Sequence, residues 1–526
     1  MPMTLNDLPH EGLAADIAVV GAGVAGQTIA KALANRGREV LLIESGGDDY
    51  DPQVQRLAAG ENAGIDYYPL DETRLRFFGG TAAIWGGRSC RLDAIDFEAR
   101  DWVPNSGWPF AADALAPYYD RAEAMLGIAA VTGAGLHSQT PHLDPAQVDC
   151  RLWRFDTDAD RFTFARRSDV TGHKRIRILC HATATQIALG ADGRAVESLT
   201  LAALDGTTRL VRPRQLVLAC GGIENARLLL LSDDVAAGGI GNGHDWVGRC
   251  FMEHMHGRGG TIRTHRPEAL LRLSQFFCDQ DVLTMASLRP SEAVQRARGG
   301  LNTSFTIAAR KTKGGRRDLI DRGFRIARDN FATPGKAWRD RFTALRAWSR
   351  ETQLRVDPWR PGALVRMGLR EVSLLLRAEQ VPNPASRVTL SAARDALGLR
   401  ATRLDWRLSP LDRHGARVAV EAFAEALGRA GLGELKPAAW LGEEGANWEF
   451  DPLVGKHWIG GYHHMGTTRM ANEPKDGVCD ADGRVHGIAN LTIAGSSLFP
   501  TCGWANPTLT IMALALRQAE KLDAPS

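Results

Sequence analysis

A chain of 526 residues is too long for one small core, and 44% hydrophobic with 24% charged residues is the balance of a folded globular protein of about two domains. A formal net charge of +3 is too small for a general nucleic-acid binder, which leaves a small molecule as the expected partner. Eight cysteines lie far apart without a C-x-x-C pair, and the start, "MPMTLNDLPHEG", has no basic n-region, apolar h-region or twin-arginine signal. Free thiols and a cytoplasmic setting are the expectation, with neither a zinc site nor a disulfide framework indicated.

The first informative element is "DIAVVGAGVAG", residues 16–26, an apolar strand running into Gly21, Gly23 and Gly26, followed by a helix over "QTIAKALANRG". In this order the first glycine permits a tight turn and the second lets the backbone approach a pyrophosphate. The third allows close packing of helix on strand, with the anion at the helix N-terminus. A second strand, "EVLLIE", ends at Glu44, where a carboxylate is expected to grip ribose hydroxyls. A dinucleotide is expected here, and at this point NAD and FAD both stay open.

Residues 79–87, "GGTAAIWGG", set two double glycines around Trp85, a composition suited to backbone wrapped against a flat ligand. "QLVLACGGIENARLLL", 215–230, reads as a further strand, a Gly-Gly turn at Gly221 and a helix opening near Glu224. Between 251 and 450 the dinucleotide pattern is lost, and "SRVTLS" with "LDWRLS" suggest strands of a separate sheet in a substrate domain. Residues 308–370 hold 17 Lys or Arg against 6 Asp or Glu, a net of +11. Ile320, Phe324, Ala327 and Phe331, then Trp338, Phe342 and Leu345, recur at helical spacing on either side of Pro334-Gly335. A solvated basic helical hairpin is the first reading of this insertion. Contact with a membrane surface or anionic partner is the second, and a lid or subunit interface the third.

The tail opens with "GGYHHMGTTRM", 460–470. Neighbours on a strand point to opposite faces and neighbours on a helix diverge by about 100°, so at most one of His463 and His464 faces any given site. "GRVHG" and "NLTIAG" read as short strands, and "NPTLTIMALALRQAEKL" as a helix capped by Asn506 with Pro507 in its first turn. That helix is apolar nearly all round through Leu516, so its positive N-terminus is expected to point into the interior.

The glycine turn, "GGTAAIWGG", "VLACGGIENARLLL", "GNGHDWVGRCFMEH" at 241–254 and the tail from His463 to Asn506 together resemble the glucose-methanol-choline oxidoreductases, from about residue 15 to 522. Within that family the tail looks closest to the branch of pyranose oxidase and related sugar and glycoside oxidoreductases. The resemblance implies an α/β fold with a Rossmann-type FAD-binding domain, assembled from 1–155, 165–250 and 451–526, and a second, sheet-containing substrate domain over 251–450. It implies FAD contacts from Gly21, Gly23, Gly26, Glu44, Gly80, Thr81, Trp85, Gly86, Gly87, Ala184, Gly221, Gly495, Ser496, Pro507 and Thr508.

Oxidising an alcohol by hydride transfer to flavin N5 also requires loss of the hydroxyl proton, a task for a neutral histidine with an ordinary pKa near 6.5. By resemblance that base is His463 and its partner on the same oxygen is Asn506, while helix capping stays open as the other reading of Asn506. Two departures stand out. Gly495 replaces an aspartate common in the family, leaving backbone or Ser496 and Ser497 to hold the flavin. Ile84 occupies the place of a flavin-linking histidine, so FAD is expected to be noncovalent, with Cys90 the nearest other attachment residue. The expected substrate is a sugar, glycoside or polyol, with a sterol, terpenoid or aromatic alcohol, or flavin binding without catalysis, as the alternatives. No residue selects among oxygen, a quinone and a redox protein as electron acceptor.

Overall fold

The computed structural model describes residues 2–129, 131, 143–158, 160–311, 359–442, 447–451 and 459–523. Three sheets organise them, with strands numbered in chain order. The first contains β1 (Leu13–Val20), β2 (Val40–Ile43), β6 (Ile176–Leu179), β7 (Thr183–Leu189), β8 (Val196–Ala202), β9 (Thr208–Leu218) and β18 (Leu491–Ile493). Its order is β6-β2-β1-β9-β8-β7, with β18 on the C-terminal end of β9. The β6, β2, β1, β9 and β18 pairings are parallel and the β9-β8-β7 meander is antiparallel. Ile17, Ala18 and Val19 are fully buried, as a parallel strand covered on both faces requires. The helix Val24–Asn35 lies beside the C-terminal helix Thr508–Asp523, which also packs on helix Ala116–Leu126. This is the Rossmann-type α/β part expected from the glycine turn.

The second sheet is antiparallel: β4 (Arg88–Ser89), β5 (Val148–Phe155), β10 (Met255–Arg263), β11 (Phe276–Asp279), β12 (Val282–Pro290), β13 (Ser304–Arg310), β14 (Glu371–Ala378) and β17 (Glu434–Pro437). They run in the order β17-β10-β14-β13-β12-β5-β4, with β11 on β12. β4 and β5 come from the segment assigned by sequence to the dinucleotide part, because their backbone hydrogen bonds are completed by β12. Helix Pro410–Arg429 covers one face, with Phe423 against Phe305 at 5.1 Å.

The third sheet joins β15 (Arg387–Arg394), β16 (Arg400–Asp405) and β3 (Gly60–Asn62). The expected "SRVTLS" strand is β15, but "LDWRLS" is strand only at Leu404 and Asp405. Beyond them Trp406 is buried and Ser409 forms a capping box with Asp412, which turns the chain into the next helix. This small sheet packs beside helix Gly221–Leu231 rather than extending the large antiparallel sheet. "GRVHG" makes only isolated bridges, Cys479 to Val485 and Arg484 to Thr492. The expected basic hairpin, with Ile320 to Leu345, lies outside the described residues, and no helix among those described is long and apolar enough to cross a membrane.

Candidate active site

The carboxyl ends of β1, β2, β9 and β18 open into one cavity of about 1520 Å³, closed on its far side by residues of the antiparallel sheet. Ligands of open parallel sheets bind at such strand ends, and this volume exceeds the few hundred to 1,000 or so Å³ of an ordinary small-ligand pocket. The three glycines after β1 have distinct geometries. Gly21 has φ +100°, and a Cβ there would stand 2.6 Å from the Ala219 carbonyl oxygen; a Cβ on Gly26 would stand 1.8 Å from the Gly21 oxygen. A Cβ on Gly23 would meet no protein atom within 4 Å and would enter the cavity itself, which is the cradle a pyrophosphate needs. The residues present therefore fit a dinucleotide.

Glu44 lines the cavity and also holds the turn: its carboxylate accepts from Ala22 N at 2.9 Å and Gly46 N at 3.0 Å. Burial raises its pKa against those two bonds. Each oxygen retains a lone pair for a ribose hydroxyl. Gly80, Thr81, Trp85, Gly86, Ala184, Gly221, Gly495, Ser496, Pro507 and Thr508 line the same cavity. Gly26 and Gly87 do not. Gly26 serves the helix–strand contact just described, and a Cβ on Gly87 would stand 1.8 Å from the Asp156 oxygen, so its glycine is set by backbone packing. Ser496 donates to the His464 carbonyl at 2.7 Å, while Ser497 is fully buried and accepts from Asn225 at 2.9 Å, away from the cavity. Ile84 lines the cavity and Cys90 does not; burial pushes that thiol up to about 12.

The chain turns just ahead of the two histidines. Tyr462, at φ +61°, stands in a left-handed conformation unusual for a bulky residue, and a Cβ on Gly461 would sit 2.7 Å from the His463 ring. Residues 460–465 lie along 252–255 through the Met252–Met465 and Met255–Gly460 bridges. Glu253, fully buried, clamps the loop: it accepts from the backbone N–H of His463 at 2.9 Å, Gly461 at 3.2 Å and His254 at 2.8 Å, and from the Tyr67 hydroxyl at 2.6 Å. Burial nevertheless raises its pKa to about 7. Tyr67 also bonds His464 Nε2 at 3.0 Å, and burial, helped by the charge of Arg74, lowers His464 to about 3. His464 is thus a packed neutral histidine.

His464 and His463 both line the cavity, but the His463 ring has other partners. Its Nε2 lies 3.1 Å from Asn506 Nδ2 and its Nδ1 lies 2.9 Å from His254 Nδ1. The network assigns the hydrogens. Burial lowers His254 to about 4, so near neutral pH its ring is uncharged, and its Nε2 faces the Cys502 carbonyl at 3.4 Å. A nitrogen facing a carbonyl carries the hydrogen, leaving His254 Nδ1 as an acceptor. His463 Nδ1 therefore donates, and His463 Nε2 is the basic nitrogen beside Asn506. Asn506 is not the helix cap that sequence also allowed. The first helical turn closes from Ile511 N to the Pro507 carbonyl, and the Asn506 amide turns to His463 instead.

Sequence reading did not single out His254, Glu253 or Tyr67. The available signal was the Glu-His pair set inside the apolar "CFMEHM", since two polar residues in such a run are buried only with partners. It also missed the cluster at the dinucleotide end, where Glu224 is bracketed by Arg74 and Arg76 at 2.6 Å each and by Arg227 at 3.4 Å, holding its carboxyl well below the usual range against the cost of burial.

Residues 382–515 match the family model described as GMC oxidoreductase, and residues 16–236 match that described as FAD dependent oxidoreductase. Paromamine 6'-oxidase of Streptomyces fradiae is 26% identical over 96% of this chain and 90% of its own. The fructose dehydrogenase large subunit of Gluconobacter japonicus is 22% identical over 98% of this chain and 99% of its own. The crystal structure of pyridoxine 4-oxidase from Mesorbium loti superposes with a TM-score of 0.53 at 19% identity, covering 96% of this chain and 99% of that one, a likeness of fold.

Proposed function

Since this chain belongs to the glucose-methanol-choline oxidoreductase family, whose members are FAD-dependent and act on alcohol groups, we propose that His463 is the base that takes the hydroxyl proton of a sugar, glycoside or other polyol. The observation that carries this reading is the convergence of His463 Nε2 and Asn506 Nδ2 on the cavity wall, 3.1 Å apart. An alkoxide releases hydride far more readily than a neutral alcohol, and the unprotonated Nε2 is the nitrogen able to accept the proton. For Nε2 to take that proton the substrate hydroxyl must replace the Asn506 amide hydrogen at its single lone pair, and the displaced amide then donates to the same oxygen as charge develops on it. His254 holds the tautomer, and Glu253 with Tyr67 holds the loop that aims the ring. Bound FAD supplies the hydride acceptor. Its pyrophosphate would sit on the Gly21–Gly26 turn and its ribose on Glu44. Ile84, a hydrocarbon side chain at the cavity, leaves retention to noncovalent contacts.

The polyol class is supported by two relatives of nearly full coverage whose names specify an aminoglycoside and a ketohexose, paromamine and fructose. The test compares two neighbours. His463→Ala is expected to keep FAD but slow flavin reduction by at least about 10²-fold. His464→Ala is expected to do much less to that rate, since its ring is engaged by Tyr67. A normal rate in the first variant, or greater damage in the second, rejects the assignment. Faster bleaching by long-chain or sterol alcohols than by polyhydroxylated rings rejects the substrate class alone.

A further inference from the structure

Asn506 and His463 meet at 3.1 Å, yet different parts of the fold carry them. Asn506 ends the loop 501–506, "TCGWAN", which leads into the C-terminal helix of the dinucleotide part. His463 instead lies along 252–255, which continue into β10 of the antiparallel sheet. Their spacing therefore depends on how the loop is registered against that sheet. One carboxylate outside the cavity lining makes the connection. Asp93 Oδ2 accepts the Trp504 indole N–H at 2.7 Å and an Asn302 amide hydrogen at 3.1 Å, and lies 3.2 Å from Arg289 Nη1. Its Oδ1 accepts from Arg151 Nε at 2.8 Å. Arg151 is on β5, Arg289 on β12 and Asn302 just ahead of β13, so three points of the sheet and the loop share one side chain.

The loop has little freedom around that bond. Trp504 is fully buried two residues before Asn506, in a T-shaped contact with Trp153 of β5 at 5.4 Å. Gly503 has φ +53°, and a Cβ there would stand 2.5 Å from the Asp96 carboxylate, so the backbone lies directly on the Asp93–Asp96 turn. That turn is closed by the Asp93 N–H donating to Asp96 Oδ2 at 2.9 Å. Against the cost of burial, Arg289 and Arg151 hold the Asp93 carboxyl below its usual range. The indole bond is therefore made to an ionised acceptor, and such bonds are roughly twice as strong as neutral ones. Both arginines also meet Asp149, at 3.0 Å each. They keep an anionic partner if Asp93 is neutralised, whereas the Trp504 bond is weakened with it.

We propose that Asp93 is a positioning residue for the oxidation: through Trp504 it fixes the loop that presents the Asn506 amide to His463 Nε2 and to the substrate oxygen. This rests on the alcohol-oxidising reading of the site. Misplacing a catalytic group by about 1 Å is enough to cost on the order of 10²-fold in rate, and the indole that Asp93 holds is two residues from the amide it steadies.

The test uses the FAD-loaded protein and two variants. Asp93→Asn keeps the shape and removes the charge, and Trp504→Phe keeps an aromatic ring and removes the donor without touching an arginine. In anaerobic stopped-flow reduction by an alcohol, each is expected to lower the limiting rate by about tenfold and to change the half-saturating concentration by under about twofold. The double variant is expected to be no slower than the worse single one, since both break one bond. In an Asn506→Ala background, Asp93→Asn is expected to cost under about twofold, because the group it positions is gone; a general structural loss would cost as much there as in the wild type. Limiting rates within about twofold of wild type, a change confined to the half-saturating concentration, or a full loss persisting in Asn506→Ala would overturn this inference and leave alcohol oxidation standing. If no alcohol reduces the wild-type flavin, the oxidation reading itself has failed, and the geometry is read without turnover by nitrogen NMR of asparagine-labelled protein. The Asn506 side-chain amide signal, identified by its loss in Asn506→Ala, is expected to shift in Asp93→Asn and in Trp504→Phe as its bond to His463 is disturbed. An unmoved signal overturns the positioning role.

Discussion

Replacing His254 tests the hydrogen assignment on which the proposed chemistry depends. In His254→Leu the acceptor 2.9 Å from His463 Nδ1 disappears, and with it the donor to the Cys502 carbonyl. His463 is then left either with an unsatisfied Nδ1–H, costing about 1–3 kcal/mol, or with its hydrogen moved to Nε2, where it blocks the nitrogen beside Asn506. The expected outcome is the second, which disfavours the base-competent form by up to that amount, so flavin reduction is expected to slow by up to about 150-fold. His254→Asn offers an oxygen near the lost nitrogen and is expected to recover most of the rate. The assays are anaerobic stopped-flow reduction by the preferred alcohol, and nitrogen NMR of histidine-labelled protein. In the wild type the His463 ring should carry hydrogen on Nδ1, and in His254→Leu on Nε2. A leucine variant that reduces its flavin at the wild-type rate, or retains the Nδ1–H signature, would refute the tautomer argument.

Three other outcomes are expected. Burial raises Glu253 to about 7, so between about pH 4.5 and 7 the native chain keeps a proton that the unfolded chain has released. Wild-type stability therefore declines with rising pH across that window by about 3 kcal/mol from this group, and Glu253→Gln, followed by thermal melts from pH 4.5 to 8, should lack that component; parallel profiles would count against it. Glu224→Gln leaves Arg74, Arg76 and Arg227 without their shared carboxylate and should lower stability by about 3–5 kcal/mol in denaturant titrations, whereas a change within about 0.5 kcal/mol would contradict the cluster's role. Acid precipitation should leave yellow FAD in the supernatant because Ile84 cannot bond to it; flavin in the pellet, located by peptide mass spectrometry, would identify another attachment residue.

The dinucleotide end was legible because its information is local. Gly21, Gly23 and Gly26 fall within six residues between a strand and a helix, and the three roles they need follow from backbone sterics alone. Glu44 follows one strand later, so its arrival beside the turn needs only the parallel pairing of β1 and β2. Alternation predicted different surroundings for His463 and His464, and their rings do have different partners, Asn506 and His254 for the first and Tyr67 for the second, although both residues line the cavity.

What the tertiary structure decided is long-range. His254 meets His463 across 209 residues, Tyr67 meets His464 across 397, and Asn506 had two local roles until the fold brought His463 beside its amide. Sequence spacing encodes which face of an element a residue occupies. It does not encode which other element that face meets, because that choice is made by burying apolar surface across the whole chain. Which nitrogen of His463 carries its hydrogen depends on such a meeting.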